Sequence, residues 1–392
     1  MDETTYDIFD LNWRNYIHNI MSPRGGQNPE ALEDYNWWTY ATATNDVFTL
    51  TSNEAPTYIN YFGIIPFGDN KASFTVQAAV SASNTQANWM DNPIPLDAEW
   101  SAITYGKGKY VSIAYGTPYV AVADAVTLEW QIIDTTLSDN WTLIKWTGLF
   151  FIALTPYSSL GLKSYDGISW TLEPVIQGFN WTDIITNEAG TIIITASGTD
   201  SYAYSLNYGE SWAINTLPSI DNWVAGASNG SQFIIIASES SKALFSYDAI
   251  NWNETNLPSE ARWSSVAWGD NGYIAIADNV NNEISISRDG QLWLPSSVPV
   301  KAGWIDIAYH NQVYMMIAPD TNIALYSYDG ELWELSYLPA GDNWVGITGG
   351  EGGFVACAHG FKTAAIGTDK LTKWATLSTY ENYDFIDGKA LW

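Results

Sequence analysis

Positive charge is scarce in this chain. Its 392 residues include 15 Lys and Arg against 43 Asp and Glu, a formal net charge of −28. Too few cations remain to neutralise a phosphate backbone, which is what generic nucleic-acid affinity requires, so sequence-specific binding to DNA or RNA is not expected. An acidic surface instead repels nucleic acid and keeps the particle soluble, and an acidic ring would make a low-friction passage for DNA. Cysteine is almost absent. Cys357 stands alone, which excludes an intrachain disulfide framework, and its apolar run Phe354-Val355-Ala356-Cys357-Ala358 reads as core. No apolar run approaches ~18 residues, so no membrane-spanning helix is expected. The start, Met1-Asp2-Glu3-Thr4-Thr5, is acidic and leads into no apolar stretch, which argues against a secretory signal. The sequons at Asn140, Asn180, Asn229 and Asn253 therefore carry no weight.

Recognisable chemistry is missing as well. His18, His310 and His359 share no metal-ligand spacing. The oxygen-rich stretches Asn279-Val280-Asn281-Asn282-Glu283 and Asp320-Thr321-Asn322 fall short of a calcium loop. No Ser-His-Asp arrangement, phosphate-cradling glycine loop or dinucleotide motif stands in a convincing context. Neither cofactor nor metal is expected.

Aromatic residues, by contrast, are abundant: 21 Trp, 24 Tyr and 13 Phe make up 15% of the chain. They recur at fixed intervals. Trp100, Trp141, Trp181, Trp223, Trp263, Trp304 and Trp344 are separated by 41, 40, 42, 40, 41 and 40 residues. Each follows another tryptophan by eleven positions: Trp89, Trp130, Trp170, Trp212, Trp252, Trp293 and Trp333. Ten positions after each leading tryptophan stands Tyr110, Phe151, Thr191, Phe233, Tyr273, Tyr314 or Phe354.

Within a period the pattern is that of strands. In the Trp263 repeat, alternating Trp263-Ser264-Ser265-Val266-Ala267-Trp268 is followed by the turn Gly269-Asp270-Asn271-Gly272. The short apolar run Tyr273-Ile274-Ala275-Ile276-Ala277 suits a strand buried on both faces. Glu283-Ile284-Ser285-Ile286-Ser287 then reaches Asp289-Gly290, a hairpin signal that tolerates positive φ. Trp293 opens a fourth strand, and Pro295, like Pro218, Pro258 and Pro339, suits an outer edge where a missing N–H costs least. A four-stranded unit of about 40 residues is what a β-propeller blade requires, because each blade buries both faces against its neighbours. The expected fold is all-β, a β-propeller of seven four-stranded blades over residues 72–392. The alternative is eight, with a composite blade from both termini, since residues 72–99 resemble the later strands of a unit and Tyr383-Asp384-Phe385-Ile386 places an aromatic after Trp374.

Residues 1–71 differ. Ile8, Phe9, Trp13, Tyr16, Ile17 and Ile20 fall on one helical face before the stop Ser22-Pro23-Arg24-Gly25-Gly26, so a short amphipathic helix serving as a docking element is expected, with some strands after it. Ile8, Phe9, Trp13, Tyr16 and Ile17 are the docking candidates.

The hairpin itself carries a resemblance. Ser164-Tyr165-Asp166-Gly167-Ile168-Ser169-Trp170 is echoed at Ser246 to Trp252, Ser287 to Trp293 and Ser327 to Trp333, with a longer version from Ser205 to Trp212. This Ser-x-Asp-Gly-x-x-Trp unit resembles the Asp-box, or BNR repeat, of sialidase-type propellers, and tandem units of the shortened kind look like those of bacteriophage tail-fibre and other virion proteins. The resemblance implies that the Asp side chain accepts hydrogen bonds from turn amides and that the Trp packs between blades. The implied structural residues are Asp166, Gly167, Trp170, Asn207, Gly209, Trp212, Asp248, Trp252, Asp289, Gly290, Trp293, Asp329, Gly330 and Trp333. The units ending at Trp130 and Trp374 depart from it. An aspartate repeated at one structural position reads as a turn former, not a catalytic acid, and no catalytic residue is expected. Sialidase chemistry, as the family implies, needs an arginine cluster, whereas the repeats hold only Arg262 and Arg288. Trp37, Trp38, Trp146 and Trp268, outside the repeat register, are the candidates for stacking on a partner or sugar.

The expected function is a non-enzymatic component of a bacteriophage virion, in the tail or its fibres. It would dock through its N-terminus in several copies and present the propeller to other tail proteins or to a host-surface glycan or protein receptor. A sialidase-like glycan hydrolase and an intracellular scaffold propeller are the alternatives.

Overall fold

The computed structural model describes residues 38–44, 47–52, 74–78, 89–175, 178–278, 282–360, 363–367 and 375–380, the strands before residue 80 and after 374 by backbone alone. The chain divides into two compact units, residues 1–85 with 370–392, and residues 86–369. In the first, Trp38–Thr44 pairs with Val47–Ser52 as an antiparallel hairpin. Phe74–Ala78 pairs with Ala375–Tyr380, so segments from both ends of the chain share one two-stranded ladder. The docking candidates Ile8, Phe9, Trp13, Tyr16 and Ile17 lie outside the described residues.

The second unit is built from the Trp-led repeats. In the Trp263 repeat, Trp263–Gly269 pairs with Gly272–Ala277, which pairs with Glu283–Ser287, which pairs with Leu294–Ser297, all antiparallel. Burial follows the sequence pattern. The second strand is buried at all six positions, the first and third mix buried with half-buried positions, and the fourth is largely exposed. A strand packed on both faces cannot satisfy its polar groups except through the ladder, which is why its run is Tyr-Ile-Ala-Ile-Ala.

The expectation of seven separate four-stranded blades, or eight, is corrected. The described residues of this unit form six hydrogen-bonded sheets, four of four strands, one of three and one of six. Merged strands are the reason. Lys109–Asp124 is one extended run whose first part pairs with Trp100–Gly106 and whose second part pairs with Trp130–Asn140, bending at Gly116 with φ +68°. Ile192–Ser205 behaves alike around Gly198. Ala213–Ser228 never breaks: its first residues end the Trp181 repeat against Tyr202–Tyr204, and its last begin the Trp223 repeat against Phe233–Ala237. Two repeats thereby share the six-stranded sheet.

Closure is direct. The last sheet, Trp344–Gly350 with Gly353–Ala358 and Ala364–Gly367, takes its outer strand from Trp89–Asp91, in register Trp89↔Gly367 and Asp91↔Ala365. Trp100–Gly106 lies beside Trp344–Gly350, so first and last repeats meet. Tyr110 Oη donates to the Gly353 carbonyl at 2.7 Å, and His359 Nε2 lies 2.7 Å from Glu99 Oε2.

Tryptophans wedge the sheets together. Trp100, Trp223, Trp263, Trp304 and Trp344 are fully buried. A ring of this size buries roughly 150–250 Å², worth about 4–6 kcal/mol as an upper bound. The tyrosine ten positions on ties neighbouring repeats through its hydroxyl. Tyr314 Oη donates to Gly272 O at 2.8 Å and Tyr110 Oη to Gly353 O, each reaching the preceding repeat.

Candidate binding face

The hairpins are assembled by short-range hydrogen bonding. In Ser327–Trp333, Ser327 Oγ accepts from the Gly330 amide at 2.8 Å, while Asp329 Oδ1 accepts from the Glu331 and Leu332 amides, both at 2.8 Å. The same bonds recur around Asp166, Asp248 and Asp289. In the longer version Asn207 Oδ1 accepts from Ser211 N at 3.1 Å and Ser205 Oγ from Gly209 N at 2.8 Å. Amides aimed at a carboxylate favour its ionised form. Asn251, through its backbone and side-chain N–H groups, together with the Ile250 amide, holds the Asp248 carboxyl down to about 2. Asp166 and Asp289 are lowered chiefly by the Ser169 and Leu292 amides, and at Asp329 partial burial pushes upward but the Leu332 and Glu331 amides outweigh it.

Glycine at the turn answers two demands. Gly330 has φ +77°, and a Cβ there would lie 2.6 Å from Ile274 Cδ1 of the preceding repeat. Ala249 occupies the same place at φ 61° in the Ser246 hairpin. In two hairpins the tryptophan closes the turn by a hydrogen bond, whereas Trp252 Nε1 and Trp293 Nε1 are buried without such a bond. Trp170 Nε1 donates to Gly167 O at 2.9 Å and Trp333 Nε1 to Gly330 O at 3.1 Å. Trp333 packs among Ile274, Ile284 and Leu325, and Trp293 among Ile234, Ile236 and Tyr273, each between two repeats. Trp212 and Trp252 are half-buried against the clusters around Ile194 and Tyr202.

Sequence reading missed one member. Asp124 Oδ1 accepts from Val126 N at 3.0 Å and Thr127 N at 3.3 Å, and these amides lower its carboxyl, so the unit ending at Trp130 has an aspartate turn after all. The turn is longer, placing Asp six residues before Trp instead of four, so the motif spacing hides it.

The turn after each inner strand lies at the same end as the hairpins, because it holds the hairpin of the next repeat. Lys107 Nζ donates to Tyr165 O at 2.9 Å, Gln232 Nε2 to Asp289 O at 2.8 Å and Asn271 Nδ2 to Tyr328 O at 2.9 Å. The resulting face carries exposed rings and apolar side chains at recurring positions: Tyr165, Tyr247 and Tyr328 before the aspartate, and Leu292 and Leu332 after it, between 45% and 75% exposed. The rings are braced edge-on, Tyr247 by Phe245 at 6.1 Å, Tyr328 by Tyr326 at 6.0 Å and Tyr165 by Phe150 at 5.8 Å between centroids.

The stacking candidates fare differently. Trp146 packs on Phe151 at 4.7 Å and fills the place of a Gly106 side chain, and Trp268 packs on Tyr273 at 4.6 Å within the adjoining core. Both are structural. Trp37 lies outside the described residues, and Trp38 is described by backbone alone.

Two acids on the inner strands also escaped the sequence reading. Asp183 and Asp306 stand two positions after Trp181 and Trp304. Asp183 Oδ2 accepts from Gly226 N at 2.8 Å, and Asp306 Oδ2 accepts from Ile347 N at 2.9 Å, so each carboxylate ties its inner strand to the next. Ser265 Oγ donates to Asp306 Oδ1 at 2.9 Å from the other side. Surrounding protein disfavours their charge: Asp306 is pushed up to about 6 and Asp183 upward, with Lys145 offsetting part of the effect at both. Their oxygens are engaged by amides. Among the described residues no group of acids, His or Cys could hold a metal ion.

No family model matches the sequence, and comparison with curated proteins found no match. Solved structures do share its shape. A streptogramin B lyase superposes with a TM-score of 0.62 at 14% identity, over 71% of this chain and 96% of that one. The fold is a β-propeller. YCF48 bound to a D1 peptide gives 0.57 at 15% identity over 72% and 95%, and the Swd1 β-propeller domain from Myceliophteria thermophila gives 0.54 at 9% over 74% and 100%. At such identities the likeness concerns architecture alone.

Proposed function

We propose that this propeller is a non-enzymatic binding component that engages its partner through the hairpin face, and that it serves on a bacteriophage particle, in the tail or its fibres, in several copies. One observation carries the binding reading. The recurring aspartates hold turns together while the recurring exposed residues beside them, Tyr247, Tyr328, Leu292 and Leu332 among them, are apolar or aromatic. Residues committed to architecture recur for architecture, whereas large side chains that are braced at one edge yet leave about half or more of their surface exposed, repeated on one rim, are available to a partner. The particle setting rests on the resemblance of the repeats.

The test combines Tyr247→Ser, Tyr328→Ser and Leu332→Ser in the full chain. Thermal stability should fall only modestly, because the three side chains are about half or more exposed and lose only edge contacts and the Gln291 bond, while incorporation into particles and co-purification with tail proteins should be lost. Full incorporation of the triple variant would remove the hairpin face as the working surface. Co-purification with proteins outside any particle would point to a scaffold, and sugar release from a polysaccharide panel would point to a hydrolase.

A further inference from the structure

We propose that the hairpin face receives a cationic protein segment, with arginine or lysine side chains laid over Tyr247 and Tyr328 and their charge set against the carboxylates beside them. The inference rests on the binding reading above and names the partner's chemistry. Three observations carry it.

The first is charge. With −28 overall, the surface attracts positive partners and repels polyanions. The hairpins concentrate this charge beside aromatic rings, since Asp248 and Asp329 are sequence neighbours of Tyr247 and Tyr328. Turn amides keep Asp248 ionised down to about 2, so the negative charge at this ring is permanent under ordinary conditions.

The second is an internal precedent. Lys163 Nζ sits 4.3 Å from the Phe150 ring centroid and 5.2 Å from that of Tyr165, so the rim already holds an ammonium over its aromatics. Arg288 takes the tyrosine's place in the intervening hairpin and lies 3.6 Å from Glu331, an arginine against a rim carboxylate. Among the described residues, Tyr247 and Tyr328 carry no such cation over their rings. The chain thus shows both halves of the contact within itself and leaves two sites of the same build open.

The third is pre-organisation. Phe245 and Tyr326 brace the two rings edge-on, and Gln291 Nε2 donates to Tyr247 Oη at 3.2 Å, fixing that ring further. A ring held in place loses little freedom when a guanidinium lies on it.

Fluorescence anisotropy on the full chain with a labelled Arg-Gly repeat peptide tests this, with Lys-Gly and Glu-Gly peptides alongside. Arg-Gly should bind, Lys-Gly more weakly because its ammonium cannot stack, and Glu-Gly not at all. Affinity should fall with added salt. The double variant Tyr247→Ser with Tyr328→Ser should weaken Arg-Gly binding roughly ten-fold, and Tyr247→Phe with Tyr328→Phe should restore most of it, since the ring makes the contact and the hydroxyl only steadies Tyr247. Equal binding of the Arg-Gly and Glu-Gly peptides, or Arg-Gly binding untouched by loss of the rings, overturns the proposal. So does preferential binding of a neutral glycan at the same tyrosines. If no cationic peptide binds while the triple Ser variant still loses its particle partners, the binding face stands and only the partner's chemistry falls.

Discussion

Asp306 shows what a single carboxylate does inside a ring of sheets. Its folded value of about 6 lies above the ordinary 3.8, so the folded chain takes up a proton that the unfolded chain does not. Stability from this group therefore rises as pH falls from about 7 through 6, and is complete below 3.8. Asp183 acts in the same direction. The turn aspartates act oppositely: their contribution is present above 3.8 and is lost as pH falls toward about 2 at Asp248. Melting temperature should accordingly climb from pH 7 to about pH 5 and drop below about pH 3. Asp306→Asn, which cannot titrate, should flatten the climb while leaving the acid-side drop in place. An unchanged slope in the variant would assign the climb to general relief of the −28 charge. The turn aspartates are legible in the sequence because a motif surrounds each of them. Asp183 and Asp306 are not, because nothing local marks a residue whose partners, Gly226 and Ile347, lie on the following repeat.

Among elements, the hairpin is the part the sequence describes best, since its bonds all fall within seven residues of one another. Gly330→Ala would meet both the positive φ and the Ile274 methyl, and should cost about 1–3 kcal/mol in a denaturant titration. Asp329→Ala removes one acceptor for two exposed amides that water can replace, and should cost about 1 kcal/mol. A larger loss for Asp329→Ala than for Gly330→Ala would mean that the turn is held by its carboxylate and not by its backbone geometry. Four strands per repeat were readable, from the apolar run of the second strand and the turn that follows, in the repeats that form the four four-stranded sheets. What escaped was where strands fuse. Ala213–Ser228 contains Pro218 and reads as an edge strand followed by a connection, yet Asp221 and Asn222 pair with Thr199 and Ser197, which keeps the run extended into the next repeat. Such pairing joins residues some twenty apart, and no local signal reports it.

At the scale of the whole molecule, the period of about 40 residues announces a ring, because sheets buried on both faces must find neighbours at both ends of the array. Which residues close that ring is a different matter. Trp89 was visible as a strand resembling the end of a repeat, but the sequence after its partner Ala364–Gly367 departs from the hairpin motif, so no local signal points back to it. Deleting Trp89–Asp91 leaves the edge of Ala364–Gly367 bare. The expected outcome is a lower melting temperature together with concentration-dependent association by light scattering, as an uncovered edge pairs with another copy. A monomer that melts as before would show that tryptophan wedging alone suffices.

The clasp between Trp89–Asp91 and Ala364–Gly367 also sets a timetable for biogenesis. The early half of the clasp emerges from the ribosome roughly 270 residues before the late half, a wait of about 15–55 seconds at ordinary elongation rates. Until then the nascent array is an open arc that can grow by adding sheets but cannot finish, with its first piece unclaimed and its growing end uncovered. Any factor that shields this protein during translation must act at those two loose ends.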